Sequence, residues 1–87
     1  LAEVHFHRKQ FNKAIRYYTQ CLNLDDGLAQ AYCNRGLSYY YRNNYKKAFL
    51  DLMRAYELDV ELPNIKKYLK LVRNKVQDEK SNPGASS

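Results

Sequence analysis

The sequence predicts an all-α protein built as an array of antiparallel helix pairs, and three observations support this prediction. First, residues 11–28 align with residues 45–62 at a shift of 34 positions. Second, apolar residues within these segments recur at the i, i+4, i+7 spacing of one helix face. Third, short clusters of Asn, Asp and Gly separate the segments, as turns between helices do. A sequence repeat of about 20–50 residues that is made of helices is typical of proteins whose repeats stack on their neighbours.

The two copies agree at the positions that matter for packing. Small, apolar and turn residues all recur in register, so the same contacts can form twice. The matching pairs include Phe11 with Tyr45, Ala14 with Ala48, Ile15 with Phe49, Leu24 with Leu58 and Asp25 with Asp59. The agreement in both period and residue type predicts two units of one architecture.

The second copy, residues 29–62, is the complete unit. We expect its first helix to run from about Leu28 to Arg42 and its second from Tyr45 to Leu58. Asn43-Asn44 tolerates the left-handed conformations of a turn and should separate the two helices. The sequence Asp25-Asp26-Gly27 predicts a turn and a helix cap between the copies.

The two ends of the chain differ from this unit. Residues 1–28 hold only part of a first copy, and the chain lacks an initiator Met, so we interpret it as a piece of a longer protein. We expect a capping helix over residues 63–80, with Pro63 in its first turn. Its apolar stripe should close the end of the array, and it consists of Ile65, Leu69, Val72 and Val76. Residues 81–87, SNPGASS, are expected to be disordered.

These residues resemble the tetratricopeptide-repeat family, whose unit is a helix pair of the same length. In the second copy the family's pattern of aromatic, small and large residues is matched by Tyr32, Gly36, Tyr39, Tyr45, Ala48, Leu52 and Ala55. In the first copy it is matched by Phe11, Ala14 and Tyr18, with Cys21 in place of the usual Ala. Arg35 departs from the pattern, because it takes a position that is usually apolar. The resemblance implies a right-handed superhelix that binds other proteins.

Composition and spacing argue against several other classes of function. No apolar run approaches the roughly 18–20 residues that cross a bilayer. The three glycines are isolated, and neither a catalytic triad nor a nucleotide loop is suggested by spacing, so we expect no enzyme activity and no cofactor. Cys21 and Cys33 are too few and too far apart to predict a metal site or a disulfide scaffold. Reduced thiols favour an intracellular location, which we take as cytoplasmic.

The resemblance also implies a binding surface on the inner face of the first helices of the repeats. Carried onto this sequence, the peptide-binding groove comprises Phe6, His7, Gln30, Cys33, Asn34, Leu37, Tyr40 and Tyr41, with Lys67 and Leu71 from the capping helix. The expected ligand is an extended peptide or a helix of another protein. If this assignment of faces holds, Cys33 faces the groove and Cys21 is buried.

Four alternatives stay open at this stage. Tyr40 and Tyr41 could pack in the core instead of lining the groove. Asn34 matches a position with which chaperone-binding members of the family hold a peptide carboxylate, but three companion positions do not match, which favours an ordinary hydrogen bond between helices. Apolar residues near Leu1 and Val4 could instead drive self-association. The six basic and two acidic residues after position 62 could attract an acidic partner or simply face solvent, and the scarcity of aromatic residues there argues against nucleic acid.

Overall fold

The computed structural model describes residues 8–81, which form four helices joined by short turns. These are α1 (Arg8–Leu24), α2 (Ala29–Tyr41), α3 (Tyr45–Leu58) and α4 (Ile65–Ser81). Short connections make consecutive helices antiparallel neighbours, and α2 packs against both α1 and α3. Within residues 8–81 there is no β-strand, so the predicted all-α array of helix pairs is confirmed.

The turns between the first three helices follow from Asx chemistry. Between α1 and α2, the Gly27 amide donates to Asp25 Oδ1 over 3.0 Å. The predicted helix cap does not form there, since α2 is preceded by Leu28, whose side chain makes no capping hydrogen bond. Between α2 and α3, Asn43 adopts the left-handed φ of 65°, as predicted. Asn44 then caps α3, because its side-chain oxygen accepts from the Lys47 amide at 3.5 Å.

Small residues let α2 and α3 approach closely at the centre of the core. Ala48, Leu52 and Ala55 of α3 are fully buried. A Cβ atom added to Gly36 would lie 3.0 Å from Leu52 Cγ and 3.1 Å from the Ala48 carbonyl oxygen. Even a methyl group at position 36 would require these neighbours, one of them a backbone atom, to shift by a few tenths of an ångström, so the glycine favours this close approach of the two helices.

Helix α4 closes the end of this core. Ile65 and Val72 are buried in one cluster with Leu52 and Ala55, and both Leu69 and Val76 pack against that cluster. The helix starts two residues after Pro63, which lies in the preceding turn rather than in the first turn of the helix. The reason is Asn64, whose φ of 65° is incompatible with a right-handed helix.

Two boundary expectations need adjustment. Helix α4 spans Ile65–Ser81 rather than residues 63–80, so the expected tail loses Ser81 to the helix. The rest of that tail, and the N-terminal residues 1–7 with Phe6 and His7, lie outside the described residues. None of the helices within residues 8–81 combines the length and the apolar composition that a membrane span requires.

Candidate binding groove

A partly buried ion pair joins α2 to its neighbours. Arg35 donates through Nε and Nη2 to the two carboxylate oxygens of Asp51, at 2.7 and 2.8 Å. Its Nη1 also donates to Thr19 Oγ1 of α1 at 3.2 Å. The hydrogen bond to Asp51 raises the pKa of Arg35 above its ordinary value, while burial acts in the opposite direction. The polar residue that breaks the repeat pattern thereby ties α2 to both α1 and α3.

A cavity of about 240 Å³ lies between α1 and α2. We call it the α1–α2 cavity, and it is lined by Gln10, Phe11, Ala14, Tyr18, Asn34, Leu37, Ser38 and Tyr41. Three residues of the predicted groove, Asn34, Leu37 and Tyr41, therefore meet in one concave site. Sequence reasoning assigned Phe11 and Tyr18 to packing alone and missed their part in this cavity. Their spacing of i, i+7 with Ala14 between them, one face of α1, was the available signal.

Hydrogen bonds between side chains hold Asn34 at the wall of the cavity. Gln30 Nε2 donates to Asn34 Oδ1 at 3.0 Å, and Asn34 Nδ2 donates to the Tyr18 hydroxyl at 3.3 Å. Asn34 thus joins α2 to α1, in agreement with its interpretation as a hydrogen-bonding residue between helices. Gln30 itself is exposed and does not line the cavity.

Aromatic rings form a continuous row from α1 to α3. Phe11 stacks on Tyr41 with 5.3 Å between ring centroids, Tyr41 meets Tyr40 edge-on at 5.5 Å, and Tyr40 lies 5.6 Å from Tyr45. Lys75 of α4 extends the row, since its Nζ lies 6.0 Å from the Tyr45 centroid. We call these five residues the aromatic row. It crosses every helix of the described fold.

The two tyrosines of the predicted groove play different parts in this row. Tyr41 is 58% exposed, which makes its ring available to a ligand beside the α1–α2 cavity. Tyr40 is half-buried and packs against the core cluster. Of the two alternatives, packing against the core therefore applies to Tyr40, and exposure at the surface applies to Tyr41.

The assignment of Cys33 to the groove is wrong. Cys33 is 2% exposed and belongs to the buried cluster that includes Ile65 and Val72. The reason is α4, which packs against α2 as well as α3 and covers this side of α2. Burial also raises the pKa of the Cys33 thiol. Cys21, expected to be buried, is only partly so, and both cysteines are free thiols.

The predicted residues of α4 lie apart from the cavity. Lys67 is exposed and Leu71 is 45% exposed. They share one face of α4 with Lys75 at spacings of four residues, and Lys75 is the member that reaches the aromatic row. Among residues 8–81 there is no group of three His, Cys, Asp or Glu side chains that could hold a metal ion.

Comparison with known proteins agrees with this architecture. A family model described as the tetratricopeptide repeat matches residues 1–27 and 29–59, two thirds of the chain. Serine/threonine-protein phosphatase 5 of Mus musculus is 39% identical over 69 residues, which are 79% of this chain and 13% of that protein. Because the chain spans so little of the phosphatase, the activity in its name is not carried over. Tetratricopeptide repeats are non-catalytic modules for protein–protein interaction, and this chain belongs to the tetratricopeptide-repeat family.

Proposed function

We propose that the chain is an adaptor segment that holds a peptide or helix of a partner protein against the α1–α2 cavity and the aromatic row. The observation that carries the proposal is the exposed ring of Tyr41, stacked on Phe11 at the edge of the cavity. Tyr rings suit such contacts because they combine a large apolar area with a hydrogen-bonding tip. Rings that are already stacked lose little further entropy when a ligand packs on them.

The chemistry of the site supports a mixed apolar and polar ligand. Leu37 and Phe11 offer apolar walls, while Gln10 and Ser38 add polar side chains to the lining of the same cavity. Lys75 at one end of the row, and Lys67 on the same face of α4, favour an acidic group in the partner. We therefore expect a ligand with an aromatic or aliphatic anchor followed by an acidic residue.

The proposal is tested with peptides selected for binding to the whole chain from a random display library. Tyr41→Ala should weaken the selected peptides by roughly 30-fold, as expected when a buried anchor of about 2 kcal/mol is lost. Lys67→Ala should weaken them by much less and mainly at low salt, because a charge at the rim acts through screened attraction. Affinities are measured by fluorescence anisotropy, and circular dichroism confirms that the variants keep their helicity.

Tyr17→Ala is the matched control. Tyr17 is an equally exposed tyrosine of α1, at 61%, but does not line the α1–α2 cavity. Its removal should leave affinity unchanged. Equal losses in Tyr17→Ala and Tyr41→Ala, or normal binding by Tyr41→Ala, would refute the groove.

The other functional hypotheses have less support. The carboxylate-clamp role of Asn34 would require its amide to face a ligand, whereas Nδ2 already donates to Tyr18 and Oδ1 accepts from Gln30.

The self-association hypothesis depended on Leu1 and Val4, which lie outside the described residues. Sedimentation over a range of concentrations tests it directly, since an adaptor that binds through the groove stays monomeric. The two free thiols support an intracellular location.

A further inference from the structure

A second concave surface lies on the other side of α4, where α4 meets α3. Three adjoining hollows of about 200, 260 and 280 Å³ follow the line between the two helices, and Phe49 contributes to the wall of each. We call this surface the outer seam. Its floor is apolar and consists of Phe49, Leu50, Met53, Leu69 and Val76. Leu50 is 67% exposed, so the floor presents a large apolar side chain to solvent.

The charged residues of the outer seam are all basic. They are Lys46, Lys66, Lys70 and Arg73, and no acidic side chain lines any of the three hollows. Sequence reasoning placed the bases of α4 on a face exposed to solvent, and it could not foresee that Phe49, Leu50 and Met53 lie beside them. An apolar floor whose rim carries only positive charges favours a ligand that is apolar on one side and acidic at its edges.

The outer seam is separate from the proposed groove. On α4, Lys67, Leu71 and Lys75 lie on one flank of the buried stripe, while Lys66, Lys70 and Arg73 lie on the other flank. None of the residues that line the α1–α2 cavity lines the seam. The two surfaces can therefore be tested independently.

The shape of the seam fits a helix. Along α4 the lining residues extend from Lys66 to Gln77, which is about 16 Å or roughly three helical turns. The fold already uses this type of packing, since α4 contacts the two helices that precede it, α2 and α3. A further helix laid between α3 and α4 would bury its apolar ridge in the same way.

We propose that the outer seam docks an acidic amphipathic helix of a partner protein, with apolar residues at i, i+4 and i+7 on Phe49, Leu50 and Leu69. Glu or Asp residues on one edge of that helix pair with Lys66, Lys70 and Arg73 of α4, and those on the other edge pair with Lys46 of α3. A second copy of this chain is a poorer occupant, because its net charge of +6 opposes a basic rim.

The probe is a stapled helical peptide of about 14 residues with Leu at the three apolar positions and Glu along both edges, since an unstapled helix of this length is marginal. Binding to the full chain is followed by fluorescence anisotropy at low and high salt. Lys70→Glu/Arg73→Glu should weaken binding by about tenfold or more. Leu50→Ser should weaken it by about fivefold through lost apolar contact.

Matched controls are available on α1. Lys13→Glu/Arg16→Glu makes the same change in net charge at exposed positions outside the seam, and Leu24→Ser removes a leucine that is 91% exposed. Both should bind the peptide as the wild type does, as should Tyr41→Ala. A peptide with Lys in place of every Glu, or Ser in place of every Leu, should not bind.

Several results would overturn the proposal. These are an absence of binding, equal binding of the Lys peptide, and equal losses in the α1 charge variant, which would indicate general attraction to a basic protein. Loss of binding in Tyr41→Ala would place the peptide in the groove instead. A dimer in sedimentation that Leu50→Ser abolishes would assign the seam to a second copy of the chain.

Discussion

Replacement of Asp51 by Ala should destabilise the fold more than the replacement of any exposed charged residue does. In the native state the side chains of Arg35 and Asp51 are only 19% and 9% exposed, and two hydrogen bonds of 2.7 and 2.8 Å join them. Each charge-assisted hydrogen bond is worth about 1.5–3 kcal/mol net. Asp51→Ala removes both of these hydrogen bonds. The Arg35 guanidinium then keeps only its hydrogen bond to Thr19 and its partial exposure to solvent. We therefore expect a loss of about 2–4 kcal/mol in the free energy of unfolding.

This loss is large for a chain of 87 residues. Domains of this size are stable by roughly 4–13 kcal/mol, and the melting temperature should fall by on the order of 10–20 °C. Urea denaturation followed by circular dichroism measures the change. The matched control is Glu57→Ala, which breaks the exposed pair of Arg54 and Glu57, 49% and 59% exposed. That variant should lose less than about 1 kcal/mol.

A double substitution separates the loss of the ion pair from the burial of an unpaired charge. Arg35→Leu/Asp51→Leu replaces both charges with apolar groups, so neither is left unpaired, and it should be more stable than Asp51→Ala. The reasoning fails if Asp51→Ala costs no more than Glu57→Ala. It also fails if the double variant is as unstable as the two single losses added together.

Three further predictions follow from the core. Gly36→Ala should destabilise the fold by about 1–3 kcal/mol in urea denaturation, because its Cβ would lie 3.0 Å from Leu52 Cγ; an unchanged midpoint would contradict the observed helix spacing. Cys21 should react with a thiol reagent at least about tenfold faster than the buried Cys33, as mass spectrometry of the labelled chain can check, and faster labelling of Cys33 would contradict its place in the core. Because burial raises the Cys33 pKa, the folded state holds this proton more tightly than the unfolded chain. Its contribution to stability is full below about pH 8.5 and declines above it, so the stability advantage of the wild type over Cys33→Ala should shrink as the pH rises above about 8.5, and a constant difference would refute the linkage.

The repeat could be predicted from sequence because its signal is redundant. Ala48, Leu52 and Ala55 recur at helical spacing and also at the period of the repeat, and all three are fully buried. Asn43 supplies a left-handed turn residue where one is needed. Such positions depend on local preferences and on contacts that every copy repeats. The helix boundaries of the second copy were consequently predicted to within one residue.

The surfaces were harder to predict because they depend on contacts between different elements. Arg35 departs from the repeat pattern, and its partner Asp51 lies on another helix, so the ion pair has no signal in either segment alone. In a repeat whose inner face is uncovered, the position of Cys33 would line the groove. Here α4 covers that position. Tyr40 and Tyr41 are adjacent in sequence, and only the rotation of α2 decides that Tyr41 is the exposed one.

Helix α4 connects these observations, because it determines which surfaces remain open. Its buried stripe, with Ile65 and Val72, buries Cys33 and leaves the proposed binding surface at the Tyr41 side. Its positive charge is divided between two flanks, Lys75 beside the aromatic row and Lys70 with Arg73 beside the outer seam. Loss of the basic residues on both flanks of α4 should therefore weaken binding at both proposed surfaces. Loss of those on one flank should weaken binding at one surface only. The two proposed binding surfaces therefore have separate charge requirements on a single helix.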